Sequence, residues 1–349
     1  MAKTTTSKKS GSTSKNSSGG TKDPKAKGSK AKGSKAKPST ADARLTAPLA
    51  PVLQPGAGYS IGDVDADATP GWNGDRSAAE ALTTTLGEEL SELQERLFAE
   101  GRSGGTRSVL LVLQGLDTSG KGGIVRHVLG MVDPQGVTIR SFGVPTQEER
   151  EHPYLWRIRN ALPAAGRIGV FDRSHYEDVL VVKVDELVDA EEIERRYDEL
   201  VAFERELVDA GTTVVKVALV ISPSEQYARL RERLERPDKQ WKFSMGDLET
   251  RAKWPLYTEA YDRVLERTSS EYAPWHVVPA NRKWYTRLVV TQLLVDALRG
   301  LDLGWPVVTF DPAAALEVLD ATKDDPTALS VAEVEARAAA VEGGEESVS

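Results

Sequence analysis

The sequence predicts an α/β fold with a mainly parallel central sheet, on three grounds. Charge-free runs rich in Val, Leu and Ile recur between stretches with helical apolar spacing, the alternation that a parallel sheet requires. One of these runs enters a glycine-rich turn that opens directly into a helix. Another ends on a carboxylate, Asp172, where open parallel sheets present their ligand-binding groups.

The 349 residues leave room for a sizeable core in one large or two small domains. The absence of cysteine excludes disulfides, thiolate metal sites and a cysteine nucleophile. No apolar run approaches the ~18–20 residues that span a bilayer, and the N-terminus lacks the apolar core of a secretory signal. A cytoplasmic location without membrane attachment is expected. The net charge of −8 conceals an asymmetry, because up to Lys37 lysines recur and Asp23 is the lone acid.

In chain order, residues 1–60 are expected to form a disordered Lys/Ser/Gly/Ala-rich arm, too poor in apolar surface to offset ordering entropy. The arm repeats Lys-Ala-Lys-Gly-Ser from Lys25 and again from Lys30. It is either a solubilising tail or a cationic arm for polyanions, with nucleic acid bound weakly at most. Ser77 and Glu80 form a capping box for a helix whose Leu82, Leu86, Leu90, Leu93 and Leu97 make one apolar stripe. Strands are expected at residues 108–114, 137–142, 167–171, 212–221 and 275–278. Residues 154–159 lie in a helix, Ser222 and Pro223 open another, and residues 284–301 form a closing amphipathic helix. Residues 306–349 are an acidic Ala/Glu-rich tail, expected to be largely disordered.

The turn after the first strand reads Gly115-Leu-Asp-Thr-Ser-Gly-Lys-Gly-Gly123, with the spacing of a phosphate-cradling loop. Gly115, Ser119, Gly120, Gly122 and Gly123 let backbone N–H groups converge on an anion, and the helix N-terminus adds partial positive charge. Lys121 supplies a mobile charge for a transferring phosphoryl group. Gly122 stands where Ser or Thr ordinarily holds magnesium, so Asp117 is the substitute ligand. Both Asp117 and Lys121 are expected on an exposed turn.

Asp172 is a second candidate for holding the metal or orienting the attacking group. Arg173 is either a salt-bridge partner for Asp172 or, the favoured reading, a phosphate clamp with a fork of donors. His175 is read as a hydrogen-bonded neighbour rather than a ligand, and Glu177 and Asp178 as loop-orienting or capping residues. Arg229, Arg233 and Arg236 share one helical face, and Lys239 and Lys242 follow after Pro237. This is either a solvated face or, as favoured here, a basic lid over residues 229–253 that closes on phosphates and excludes water. Asn281 and Trp284 follow the last strand where related folds border the nucleotide base; Trp284 is alternatively a core residue.

Taken together, residues 115–123, Phe171-Asp-Arg-Ser-His-Tyr-Glu-Asp178 and Pro237-Asp-Lys-Gln-Trp-Lys-Phe-Ser-Met-Gly-Asp247 resemble the family-2 polyphosphate kinases. The ending Glu271-Tyr-Ala-Pro-Trp-His-Val-Val-Pro-Ala-Asn281 is similar too, and the resemblance covers residues 75–303. It implies a three-layer, thymidylate-kinase-like P-loop core with a helical lid. The implied reaction moves a terminal phosphoryl group between inorganic polyphosphate and AMP or ADP, with magnesium that manganese can replace. Asp117 and Asp172 match the family's acidic positions near the metal, and Lys121, Arg173, Arg229 and Arg233 match positions that grip phosphates. Residues 174–181 resemble the subclass that uses both AMP and ADP, whereas Gly122 departs from part of that subclass. Adenine nucleotides, with guanine as a second option, and a homo-oligomer are implied.

Physically, two polyanions meeting in one cleft need cations to neutralise their repulsion, and a polymeric donor needs a basic track leading away. Arg126 and Arg140 are candidates for that track. Two rivals share parts of the pattern: an ATP-dependent nucleoside monophosphate kinase, and a non-enzymatic polyanion-binding protein led by the arm.

Overall fold

The computed structural model describes residues 45–342. The disorder expected over residues 1–60 lies outside the described residues as far as residue 44. From Leu45 onward it is corrected, because Leu49, Leu53 and Trp72 give this segment an apolar anchor and are all buried.

The described residues begin with a strap. It contains a short helix, α1 (Leu49–Val52), and a bridge from Leu45 to Trp72. Helix α2 (Arg76–Arg102) follows; its cap is Asp75, which accepts from Ala78 N, rather than the predicted Ser77 box. Then come β1 (Ser108–Gln114), α3 (Lys121–His127), β2 (Val137–Ser141), and two single turns, α4 (Gln147–Arg150) and α5 (Trp156–Arg159). Next are β3 (Ile168–Asp172), α6 (Glu177–Val184), α7 (Ala190–Asp209), β4 (Thr212–Val220) and α8 (Pro223–Glu235). Helices α9 (Met245–Ala252) and α10 (Trp254–Thr268), β5 (Trp275–Pro279) and α11 (Lys283–Arg299) complete the core.

The five strands are all parallel, in the order β2-β3-β1-β4-β5. Strand β1 is central and fully buried, which explains its charge-free sequence. Its alternation divides the core. Val109, Leu111 and Leu113 face a layer with α2, α3 and α11, while Leu110 and Val112 face α6, α7 and α10. Each fully buried Leu or Val adds about 1.5–3 kcal/mol of transfer free energy. The parallel register pairs Leu113 with Asp172, so the glycine turn and the end of β3 emerge side by side.

The strap closes the β5 edge. Val277 N donates to Leu53 O at 2.8 Å, and Asn281 N to Ala66 O at 3.1 Å. Ser60 Oγ and Ile61 N donate to Asp262, and Tyr285 OH donates to Pro70 O at 2.6 Å.

Residues 306–342, expected to be largely disordered, carry two helices that are not packed into the core. Helices α12 (Pro312–Ala321) and α13 (Val331–Glu342) form there, the first capped by Asp311 with Pro312 at its first position. Residues 343–349 lie outside the described residues. None of the residues of α12 is buried. Among the described residues no helix is long and apolar enough to cross a membrane.

Candidate active site

A cleft of about 980 Å³ opens at the carboxyl ends of the strands, floored by the glycine turn. Gly115 has φ +148°, and a Cβ there would lie 2.7 Å from both Leu219 O and Ser119 Oγ. Gly120, at φ +118°, caps α3, whose first bonds run from Gly123 N and Ile124 N to Gly120 O. These glycines let the chain fold back tightly enough to aim the start of α3 into the cleft. The hydroxyls of Thr118 and Ser119 are buried without partners among the described residues, which fits a loop built to receive a polar occupant.

Lys121 is less exposed than the sequence suggests, at 8%. Its Nζ turns back to Gly115 O at 2.6 Å and approaches Leu116 O at 3.4 Å. Burial pushes its pKa down; Asp172 opposes that shift and Arg173 reinforces it.

Arg173 follows Asp172 in a left-handed conformation, φ +63°, with its N–H on Leu113 O. That turn sends its guanidinium to Asp117 Oδ1, 2.8 Å away, rather than to Asp172. It is therefore an ion-pair partner across the loop while remaining on the cleft wall. Asp117 and Asp172 both line the cleft, and the Asp172 carboxylate has no hydrogen-bond partner among the described residues. No cluster of three or more metal-ligating side chains occurs among the described residues. Two carboxylates, with the remaining positions left to water and phosphate oxygens, fit magnesium, which binds through one or two carboxylates beside substrate phosphates.

Beyond Arg173, the loop residues enter the core. His175 Nε2 lies 3.2 Å from Glu204 Oε1, and Tyr176 OH donates to the same oxygen at 2.6 Å. Lys216 Nζ, in the middle of β4, donates to Glu204 Oε2, Tyr176 OH and Thr268 O. Asp178 accepts from Arg157 at 3.2 Å. Burial pushes the Glu177 carboxyl above its usual range, against the pull of Arg173 and Lys121.

The basic lid divides. Arg229 is buried and donates to Thr118 O and Ser119 O in the glycine turn, to Ala280 O and Asn281 O after β5, and to Glu225. Expected on phosphate, it lines the cleft and also staples three segments together, because a planar fork of donors matches several carbonyls at once. Arg233 lines the cleft and bonds Lys242 O and Asp247. Lys239 pairs with Glu232 at 2.6 Å, and Lys242 Nζ lies 4.9 Å from the centre of the Trp241 ring; both line the cleft. Arg236 does not: it pairs with Glu232 and Asp238 outside.

The nucleotide contacts expected at Asn281 and Trp284 are not on the cleft wall. The Asn281 side chain ties Ser222 and Asp67 together, and Trp284 packs on the core beside Tyr285. Of the track candidates, Arg126 lines the cleft, whereas Arg140 pairs with Glu149 elsewhere.

Sequence reasoning missed His127, Lys283 and Arg287, which line the cleft with Arg126. The signal was present: Lys283 and Arg287 are four apart at the start of α11, on the face away from its apolar positions. Arg126, Lys283 and Arg287 have no ion-paired carboxylate among the described residues. Burial, then Arg287 and Arg126, push His127 below its ordinary value of 6.5. Burial, then Arg229, push Lys283 down as well. Glu232 and Glu225 oppose the shift of Lys283 from beyond ion-pair distance, so these cations sit near one another with only distant counter-charge, in a cleft that concentrates their field.

Residues 73–303 match the family model described as Polyphosphate kinase 2. An AMP/ADP-polyphosphate phosphotransferase of Meiothermus ruber is 46% identical over 254 residues, covering 73% of this chain and 94% of the relative. An ADP-polyphosphate phosphotransferase of Rhodopseudomonas palustris is 40% identical over 250 residues, covering 68% of this chain and 84% of that protein. The crystal structure of a polyphosphate kinase 2 from Arthrobacter aurescens superposes with a TM-score of 0.78 at 51% identity, covering 80% of this chain and 99% of the other.

Proposed function

The chain belongs to the polyphosphate kinase 2 family, and on that premise we propose that it transfers a terminal phosphoryl group between inorganic polyphosphate and AMP or ADP, with a magnesium ion held by Asp117 and Asp172. The observation that carries the reading is a glycine turn that shares one cleft with Arg126, Lys283, Arg287, Arg233, Lys239 and Lys242, the first three without an ion-paired carboxylate among the described residues. Two polyanions can then lie in one cleft with their repulsion neutralised. The name of the Meiothermus ruber relative supports both acceptors.

In this reading the glycine turn and Lys121 receive the end of the phosphate chain, and Arg126, Lys283 and Arg287 carry its length. Lys121 exchanges the carbonyl of Gly115 for a phosphate oxygen, which restores its proton affinity as the anion arrives. Arg173 holds Asp117 in place and adds positive charge where the transferring group becomes most negative. Arg233, Lys239 and Lys242 take the acceptor's phosphates from the lid side. Magnesium, when bound, supplies charge neutralisation between donor and acceptor oxygens. Beyond this site we propose a cytoplasmic homo-oligomer that accepts guanine as a second base and whose Lys-rich arm meets polyanions.

The test is direct. Purified protein with magnesium, polyphosphate and ADP or AMP yields a more highly phosphorylated nucleotide, and omitting polyphosphate stops the reaction. Phosphorylation of AMP from ATP that ignores polyphosphate overturns the reading. Asp117→Asn and Lys121→Met each lower kcat on the order of a hundredfold or more. Because Lys121 is buried, thermal melts of that variant accompany the kinetics.

A further inference from the structure

The geometry points to Trp241 as the platform on which the acceptor nucleotide stacks its base. Trp241 lies in the lid's 3-10 turn, Gln240–Lys242, and is 78% exposed. A ring of this size standing in water calls for a reason. It is also held in place: Nε1 donates to Asp238 O at 3.1 Å, and Lys242 Nζ covers one face at 4.9 Å from the centre. The ring borders the same cleft as the glycine turn.

The other aromatic rings on the cleft wall are poor alternatives. Phe142 is 4% exposed, set edge-on against Phe171 with ring centres 5.0 Å apart, and cannot accept a base without opening the core. His127 stands among the cations Arg126 and Arg287.

The two substrates differ in one respect that this ring detects. An inorganic phosphate chain presents oxygen in every direction and gains nothing from an aromatic face. A nucleotide carries a flat base, and stacking on an aromatic side chain works for every base. The lid therefore brings a ring for a base together with the cations Arg233, Lys239 and Lys242 for phosphates, whereas Arg126, Lys283 and Arg287 bring no exposed ring of comparable size to the cleft. This assignment rests on the polyphosphate–nucleotide reading above. It makes Trp241 the residue that favours nucleoside phosphates over inorganic ones at the acceptor side, without selecting among bases.

The experiment compares wild type, Trp241→Ala and Trp241→Phe, with Met245→Ala as an exposed apolar control on α9 outside the cleft lining. Calorimetric binding of ADP with magnesium, in the absence of polyphosphate, is read beside KM for ADP and KM for long-chain polyphosphate. Trp241→Ala weakens ADP binding and raises its KM by roughly tenfold to a hundredfold. The KM for polyphosphate stays where it was, Trp241→Phe recovers most of the loss, and Met245→Ala behaves as wild type. A loss that falls on polyphosphate instead, or no change in ADP binding in a wild type that turns over normally, overturns the assignment while the function stands. Weaker ADP binding by Trp241→Ala in a protein that never uses polyphosphate overturns the function while the assignment stands. A wild type that binds no ADP overturns both.

Discussion

Arg229 shows how a cation within reach of a phosphate site can serve the fold. Its guanidinium has five N–H donors, and the structure supplies acceptors at Glu225, Thr118, Ser119, Ala280 and Asn281. Lysine carries one point charge and cannot bridge these carbonyls. We expect Arg229→Lys to lower kcat/KM by roughly tenfold to a hundredfold for nucleotide and polyphosphate alike, given about 1.5–3 kcal/mol per bond to a charged group. Equal losses on both substrates, together with a lower Tm, are the signature to seek. His127 gives a second residue-level expectation. Its pKa lies below the usual 6.5, so the ring is neutral at pH 7 in the free protein. A bound polyanion favours the charged form, so binding takes up a proton. Affinity is then strongest at low pH and falls as pH rises through the bound-state pKa. Polyphosphate Kd measured from pH 6 to 8 should rise more steeply for wild type than for His127→Gln. The difference isolates the imidazole, because the chain's own terminal phosphate titrates equally in both.

At the scale of elements, the strands and the glycine turn were legible because their chemistry is local. A charge-free run and a Gly-Lys spacing declare themselves within ten residues. The end of β3 was legible too, although the partner of Arg173 was not, since it depends on a left-handed turn that no residue type there announces. The cationic start of α11 was passed over because apolar spacing dominates that helix. Lys216 was overlooked as a core residue because a lysine in a strand reads as an edge or surface position. In the structure it is fully buried against Glu204 at 2.6 Å. Removing one member leaves a buried charge, so Lys216→Met should cost about 3–5 kcal/mol in chemical denaturation, whereas exposed pairs such as Arg231–Glu235 should cost little. Close helix packing gives another check. A Cβ on Gly101 of α2 would stand 2.5 Å from Gly166 Cα, so Gly101→Ala should lower stability by about 1–3 kcal/mol. An unshifted denaturation midpoint would mean that the turn before β3 gives way without strain.

At the scale of the whole molecule, the matched family region runs from residue 73 to 303, and segments on both sides of it are ordered. The arm of residues 1–44 is expected to be dispensable for turnover. Deleting it should leave kcat intact and at most weaken binding of long polyphosphate at low salt, where counterion release is largest. A deletion that abolishes turnover would make the arm part of the working site. The strap eluded sequence reading because its Pro, Gly and Asp residues look like a linker. Its anchors, Asp262, Val277 and Tyr285, lie far along the chain, with Ile61 and Asp262 separated by 201 positions.

That separation has a bearing on synthesis. The strap is made before the rest of the described residues, yet the partners that hold it, Asp262, Val277, Asn281 and Tyr285, are each made at least 201 residues after the strap residue they bond. Helix α2 is in much the same position, since most of its packing is against α11. The sheet can begin to assemble from β1 to β4 while the protein is still being made, but its β5 edge stays open until translation passes residue 285. Nascent chains stalled near residue 250 should therefore expose the leucines of α2 to chaperones and be cleaved readily within residues 45–72. Chains released at full length should resist the same protease.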